Sequence, residues 1–457
     1  MRIYSPTPVL GYGYNIESFT RVIAETPPDM IAADAGSTDP GPYYLGSGTS
    51  FTDYELVKRD LGPMLKAALD LGIPLVIGTS GGAGGKPHLD TTRQAVEEIA
   101  DEFKLRFRLT LIHAEQSAES VKNALAAGRI RPLHPVKQLT PETIDNATRI
   151  VGLMGVEPFL RAFEEGAQVI LAGRSDDAAL FAAYAIRNGI SPASAWLSGK
   201  FLECGGACAV PRHKFGLDGV IADVSDDEVL LTPSDLRVAC TRRSISTFLL
   251  HENESPVSHI EPSGTLNLKN LRIEQADPRS VRMTGQKFDE TDQKTIRLEG
   301  VELVGYRTIV VAWTRDPLLI SVIDDYLERA RQKITDRISR GRLVDGDYVL
   351  DFRLIGKDAV MGPREPVKEI RSHELGIIID VVAPTQREAS LVAAAARTLI
   401  KNFEYPGKLC DEGCITFPYS PSETEVGAVY RFSIWHLLEN PDMHAIFPVE
   451  HVEVGHA

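Results

Sequence analysis

The chain has 457 residues, 43% of them hydrophobic and 25% charged, the make-up of a globular protein long enough for two or three cores. Its formal net charge of -14 excludes non-specific binding to nucleic acid, whose phosphates are held by lysine and arginine. Five cysteines, an odd and low number, argue against a disulfide framework, and no uncharged apolar run is long enough to span a bilayer.

In chain order, a strand is expected at Arg2 to Tyr4, then a helix from about Ile16 to Ala24 that Pro27-Pro28 punctuates. The apolar run Ile31-Ala32-Ala33 enters a polar loop and a helix near Thr52-Asp53, where Thr52 and Glu55 have capping-box spacing. Pro74 to Gly78 leads through a glycine loop to a helix from about Asp90 to Phe103. Arg108 to His113 is the next strand, followed by a helix from about Ser117 to Ala127 that Gly128 closes. A less regular passage around Pro132, Pro135 and Pro141 precedes a helical stretch from Val156 to Glu165. Gln168 to Ala172 reads as a strand and Asp176 to Asn188 as its helix.

This is βα repetition, with short apolar runs that suit buried parallel strands. The expected fold class is therefore α/β, with a mostly parallel sheet flanked by helices in the N-terminal domain, residues 1–217. Residues 218–305 read as a polar, strand-rich connecting segment. In 306–457 the expected order is strand Tyr306 to Trp313, helix Leu318 to Ile338, strand Asp347 to Leu354, strand Leu375 to Val382, helix Thr385 to Asn402 and strand Val429 to Trp435. Paired units of that kind suggest a smaller α+β C-terminal layer, for which a ferredoxin-like arrangement is one form.

Ligands of open parallel sheets settle outside the carboxyl ends of the strands, where the polar loops fall. Gly78 to Gly85 holds five glycines in eight residues, so its amides at Ser80, Gly81, Gly82 and Gly84 suit an anion, although neither the Walker nor the dinucleotide spacing is present. Asp34, Ser37, Thr38 and Asp39 crowd two carboxylates and two hydroxyls into one loop, a set suited to acid-base work or to a divalent cation. Arg174 and Ser175, beside Asp177, offer a guanidinium fork for a carboxylate. Glu115, after His113, is a further acid or base, and Lys200 a nucleophilic or charge-pairing lysine. His251-Glu252-Asn253 and Glu261-Pro262-Ser263-Gly264 are polar clusters that would close over such a site. The spacing Cys204/Cys208 and Cys410/Cys414 departs from the common zinc pattern, so thiols in tight turns are expected.

Ala33-Asp34-Ala35-Gly36-Ser37-Thr38-Asp39-Pro40-Gly41-Pro42, Gly78-Thr79-Ser80-Gly81-Gly82-Ala83-Gly84, Ala172-Gly173-Arg174-Ser175-Asp176-Asp177 and Leu202-Glu203-Cys204-Gly205 together resemble the acyclic terpene utilisation family, AtuA type. The resemblance implies a large α/β amino-terminal domain, a small ferredoxin-like companion protein or appended domain, and catabolism of branched acids activated as coenzyme A thioesters. The Asp34 loop departs from that of the terpene-pathway members, which leaves short carboxylic acids as equal candidates.

The expected function is an enzyme that hydrates, dehydrates or isomerises a small carboxylic acid or its CoA thioester, a lyase or isomerase. Gly78 to Gly84, Ser37, Thr38, Arg174 and Ser175 would bind the substrate, and Asp34, Asp39, Glu115, Asp177 and Lys200 would carry the chemistry. A metal-dependent hydrolase using a divalent metal, and a non-catalytic ligand-binding or scaffold subunit, are the alternatives. With no apolar signal core at the amino terminus, a cytoplasmic homo-oligomer without membrane or nucleic-acid partners is expected.

Overall fold

Alternation along the first strands sends successive residues to opposite sides of one sheet, and both sides are buried. Ile3, Met30, Ala32, Val76 and Ile170 enter one apolar core, and Tyr4, Ile31, Ala33, Ile77 and Leu171 the other. This is why the strands read as uninterrupted apolar runs. The computed structural model describes residues 1–36, 38–211, 218–250, 255–341, 344, 346–410 and 412–455. Ser37 and His251-Glu252-Asn253 lie outside the described residues.

The chain divides into two compact units, Met1–Glu302 with Phe432–Ala457, and Leu303–Arg431. In the first, ten strands form one sheet: β1 (Arg2–Ser5), β2 (Met30–Asp34), β3 (Leu75–Gly78), β4 (Phe107–Ile112), β5 (Val169–Ala172), β6 (Val220–Val224), β7 (Glu228–Pro233), β8 (Arg272–Gln275), β9 (Val281–Thr284) and β10 (Val449–Val454). Their spatial order is β8-β9-β7-β6-β1-β2-β3-β5-β4-β10. The pairs from β1 through β2, β3 and β5 to β4 are parallel. Those on either side are antiparallel. The expected mostly parallel sheet is thus a mixed one, because the segment 218–305 adds four antiparallel strands at one edge and the carboxyl terminus adds β10 at the other.

Helices cover this sheet, and their starts follow side-chain chemistry. Asn15 caps α1 (Ile16–Glu25) by accepting from Ser18 N at 2.8 Å. The next helix, α2 (Tyr54–Leu71), is capped by Asp53 and not by Thr52, since the Asp53 carboxylate takes the amides of Glu55 and Leu56. A third helix, α3 (Lys86–Phe103), starts four residues before the expected Asp90 with Pro87 in its first turn. By contrast α4 (Ala179–Arg187) starts later than expected, because Asp176 accepts from Ala178 N and Ala179 N at 3.1 Å and so lies ahead of it. Ser191 caps α5 (Pro192–Leu202), which ends at the functional cleft. A strand at Ala147–Gly152, hidden in the proline-rich passage, pairs with Leu298–Glu302.

The second unit holds strands Val349–Ile355 and Leu375–Ala383, the latter paired antiparallel to Tyr306–Thr314, with helices Ile323–Gly341 and Gln386–Asn402. Thr385 and Glu388 form a capping box there. Among the described residues no helix is long and apolar enough to cross a membrane.

Candidate functional site

Beyond the carboxyl ends of β2 and β5 the first unit opens into a cleft of about 610 Å³. Asp34, Thr38, Asp39, Arg174, Asp177 and Lys200 line it, so six of the side chains singled out in the sequence meet in one place. Asp176, Glu203, Cys204 and Arg297 complete its polar wall, and Tyr12 stands at the rim, 57% exposed.

Asp34 is the last residue of β2 and is buried. Its Oδ2 accepts from Gly36 N at 3.1 Å, whereas Oδ1 is buried and has no hydrogen-bond partner among the described residues. Burial, followed by the charge of Asp177, pushes the Asp34 carboxyl well above the usual carboxylate range, against the lowering influence of the Gly36 amide and Arg174. The Asp177 carboxyl is raised as well, by its enclosure in the cleft and by Asp176, with Arg174 and Lys200 opposing. The charge of Asp177 is thus one of the causes that raise Asp34, so the proton on Asp34 depends on the state of its neighbour.

Arg174 is held more tightly than a ligand-seeking arginine. Its side chain is 5% exposed, with Nε 3.0 Å from Glu299 Oε2, Nη2 3.3 Å from Oε1, and Nη1 3.5 Å from Asp177 Oδ1. Glu299 also receives Arg297, whose Nη2 lies 2.7 Å from Oε1 while its guanidinium stacks on the Trp435 ring at 4.6 Å. Burial alone would raise the Glu299 carboxyl, yet Arg174 and then Arg297 hold it below the usual range. Arg297 and Glu299 are two apart on one strand and so share a face, which is how one strand delivers both halves of the clamp.

Lys200, in the last turn of α5, sits 3.2 Å from Glu203 Oε1, with Nζ donating. Desolvation works against its charge, but Glu203, Glu261 and Asp176 outweigh it and raise the ammonium above its ordinary value. A lysine held protonated is a cation here, not a nucleophile. Burial lifts the Glu203 carboxyl to about 8 despite Lys200, with Asp177 and Asp176 adding to the rise. Glu261, buried on the strand Ser258–Glu261, belongs to the same electrostatic cluster and is raised by burial and Asp176.

The glycine loop has another role. Ser80 N donates to Ala172 O, Gly82 N to Thr79 O and Gly84 N to Ser80 O, so these amides are engaged internally. A Cβ on Gly84, where φ is +67°, would stand 2.1 Å from Arg174 N, and Arg174 N donates to Gly84 O at 3.1 Å. Gly84 therefore wedges the loop against Gly173-Arg174, Gly81 packs on His88 and Gly82 on Phe51, and none of these residues nor Ser80 lines the cleft. Ser175 is buried, its amide donating to Thr79 Oγ1 at 3.2 Å. Glu115 is exposed outside the cleft, where its Oε2 accepts from Lys86 N at 2.7 Å at the start of α3 and from Arg149 Nε at 3.2 Å. His113 pairs with Glu450 at 3.1 Å.

Glu203, Arg297 and Glu299 were not among the expected site residues, whereas Glu261 was expected in a polar cluster over the site. The one signal for Arg297 and Glu299 was a pair of charges at period-2 spacing inside an otherwise apolar strand, Ile296-Arg297-Leu298-Glu299. None of the five cysteines forms a disulfide among the described residues, and Cys208 Sγ lies 3.8 Å from Cys240 Sγ. Among the described residues no group of three or more His, Cys, Asp or Glu side chains is arranged to hold a metal ion.

These features define a mixed α/β protein with an acid-rich cleft at the carboxyl ends of its parallel strands. Residues 50–412 match the acyclic terpene utilisation family protein AtuA, and the chain belongs to that family. No curated protein and no solved structure matches it.

Proposed function

We propose that the protein is an enzyme of acyclic terpene or related branched-acid catabolism that hydrates, dehydrates or isomerises an acyl-CoA thioester. The observation that carries this reading is the buried Asp34 carboxyl, one oxygen of which has no partner among the described residues, beside Asp177 in the cleft. A carboxyl pair that holds one proton between its members supplies both an acid and a base at neutral pH. In hydration, the base takes a proton from water as its oxygen bonds to one alkene carbon, and the acid returns a proton to the carbon next to the carbonyl. In isomerisation the same groups move a proton from one carbon to another. Lys200, held protonated, faces the negative charge that develops on the carbonyl oxygen.

Charge favours the thioester over the free acid. Asp34, Asp39, Asp176, Asp177 and Glu203 face Arg174, Lys200 and Arg297 in the cleft, and both arginines are engaged by Glu299. A free carboxylate would meet a wall that is already acidic, whereas an acyl carbonyl brings no charge to it. Thr38 and Asp39 then contact substrate. Glu261 supports the charge on Lys200 through its field. A small ferredoxin-like partner, a homo-oligomeric state and a cytoplasmic location belong to the same proposal.

The test is proton exchange, which needs no net reaction. Incubated in heavy water with branched and straight acyl-CoA thioesters, the protein incorporates deuterium next to the carbonyl, read by mass spectrometry. Asp34→Asn and Asp177→Asn abolish incorporation while the circular dichroism spectrum is kept. Exchange at wild-type rate in both variants would remove these carboxyls from the chemistry.

A further inference from the structure

The face of the large sheet that carries Arg2, Asp223 and Thr232 opens beside the last turns of α1 into a second pocket, of about 400 Å³. It lies at the amino end of β1, whereas the acid-rich cleft lies beyond the carboxyl ends of β2 and β5. Six charged residues line it: Arg2, Arg21, Arg279, Glu25, Asp223 and Asp277.

The charges are not equally committed. Arg2 and Asp223 stand opposite one another in the register of β1 with β6 and pair through two contacts, 2.9 and 3.0 Å long. Asp277 turns its Oδ1 to its own loop, accepting from Arg279 N at 2.7 Å and Ser280 N at 2.9 Å. Glu25 is exposed at the edge. Arg21 and Arg279 make no ion pair among the described residues, although Asp235, paired with Arg237, is near enough to act on both through its field.

Both guanidinium groups are fixed in place by neutral partners. Arg21 Nη2 donates to Ser234 O, and Arg279 donates through Nη2 to Pro233 O at 2.6 Å and Asp235 O at 2.8 Å. Carbonyl anchors orient a guanidinium without cancelling its charge. Burial and then the neighbouring Arg21 charge pull the Arg279 guanidinium below its ordinary value, as expected for two cations held together.

We propose that this pocket is an anion site for a phosphate-bearing small molecule, with Arg21 and Arg279 as its paired cations. Oriented guanidinium groups that no ion pair among the described residues cancels attract phosphate oxygens, and the hydroxyls of Thr232 and Ser280, bonded to each other at 2.8 Å, add polar groups to the wall. The volume suits a small organic phosphate rather than a bare ion.

The probe is inorganic pyrophosphate, titrated calorimetrically into the full-length protein. One saturable site is expected, weakened by raising the salt to about 0.3 M and weakened about tenfold or more in the Arg21→Gln/Arg279→Gln double variant. Because that variant also loses carbonyl anchors, Leu236→Glu is the second arm: this rim residue is 58% exposed, so its replacement brings a repelling charge without disturbing the core. Weakened binding in Leu236→Glu with an unchanged far-ultraviolet spectrum supports the site. Absence of saturable binding, or affinity kept within about twofold in both variants, overturns it.

Discussion

Replacing Glu299 by glutamine separates two roles for Arg174, structural clamp and ligand grip. Glu299 and Arg174 have side chains 2% and 5% exposed, and the carboxylate serves Arg297 as well. Removing one partner of such a buried pair costs about 3 to 5 kcal/mol, because the remaining charge is left uncompensated. Here the remainder is partly compensated by Asp177 at 3.5 Å, and Arg297, 29% exposed, can be hydrated. The expected loss is therefore near the lower limit, about 3 kcal/mol. Urea unfolding in a Trp313→Phe background reports on the first unit alone, since Trp196 and Trp435 both belong to it. A double-mutant cycle with Arg174→Met should return a coupling energy of about 1 kcal/mol or more. If Glu299→Gln unfolds within about 0.5 kcal/mol of wild type, the clamp contributes nothing and Arg174 is available to a substrate carboxylate.

Asp34→Asn tests the raised carboxyl through pH. Burial and Asp177 make the folded protein hold this proton more tightly than the unfolded chain does. The group's contribution is therefore fully present below about pH 4 and is lost as pH climbs through the raised folded value. The variant lacks that loss, so its urea midpoint should gain on wild type as pH rises above about 4, and a constant difference would contradict the assignment. Gly84→Ala places a Cβ 2.1 Å from Arg174 N and should cost about 3 kcal/mol or more. Gly128→Ala meets nothing within 4 Å at a similar φ and should cost only about 1 kcal/mol, so equal losses in the two denaturation curves would refute the wedge. Exposed Cys410 should react with a thiol reagent in the native protein, and buried Cys208 and Cys240 only after unfolding, as peptide mapping would show.

The part of the site legible in the sequence is the part carried by strand ends. Asp34 and Arg174 follow apolar runs that could only be buried strands, so their place at the sheet's edge followed from periodicity alone. The partners of Arg174 were hidden because Glu299 lies 125 residues away on a strand outside the βα repetition. Glu115 and the glycine loop show the opposite failure. Acidic and glycine-rich loops suit ligands, but the same groups serve helix starts and close backbone packing, and only contacts distinguish the two. Local capping was misread for similar reasons, as Asp53 and Thr52 are adjacent and either has the chemistry to cap α2. The mixed character of the sheet escaped because β10 and the strands between 218 and 305 are distant in sequence from the parallel strands they extend.

The proposed chemistry needs a carboxyl that keeps its proton at neutral pH. Carbon-13 NMR titration of aspartate side chains, wild type against Asp34→Asn, observes it directly. One resonance absent from the variant should titrate well above the ordinary value of about 4. If the resonance lost with Asp34 instead titrates in the ordinary range, Asp34 is ionised at neutral pH and cannot be the donor in the proposed proton transfer.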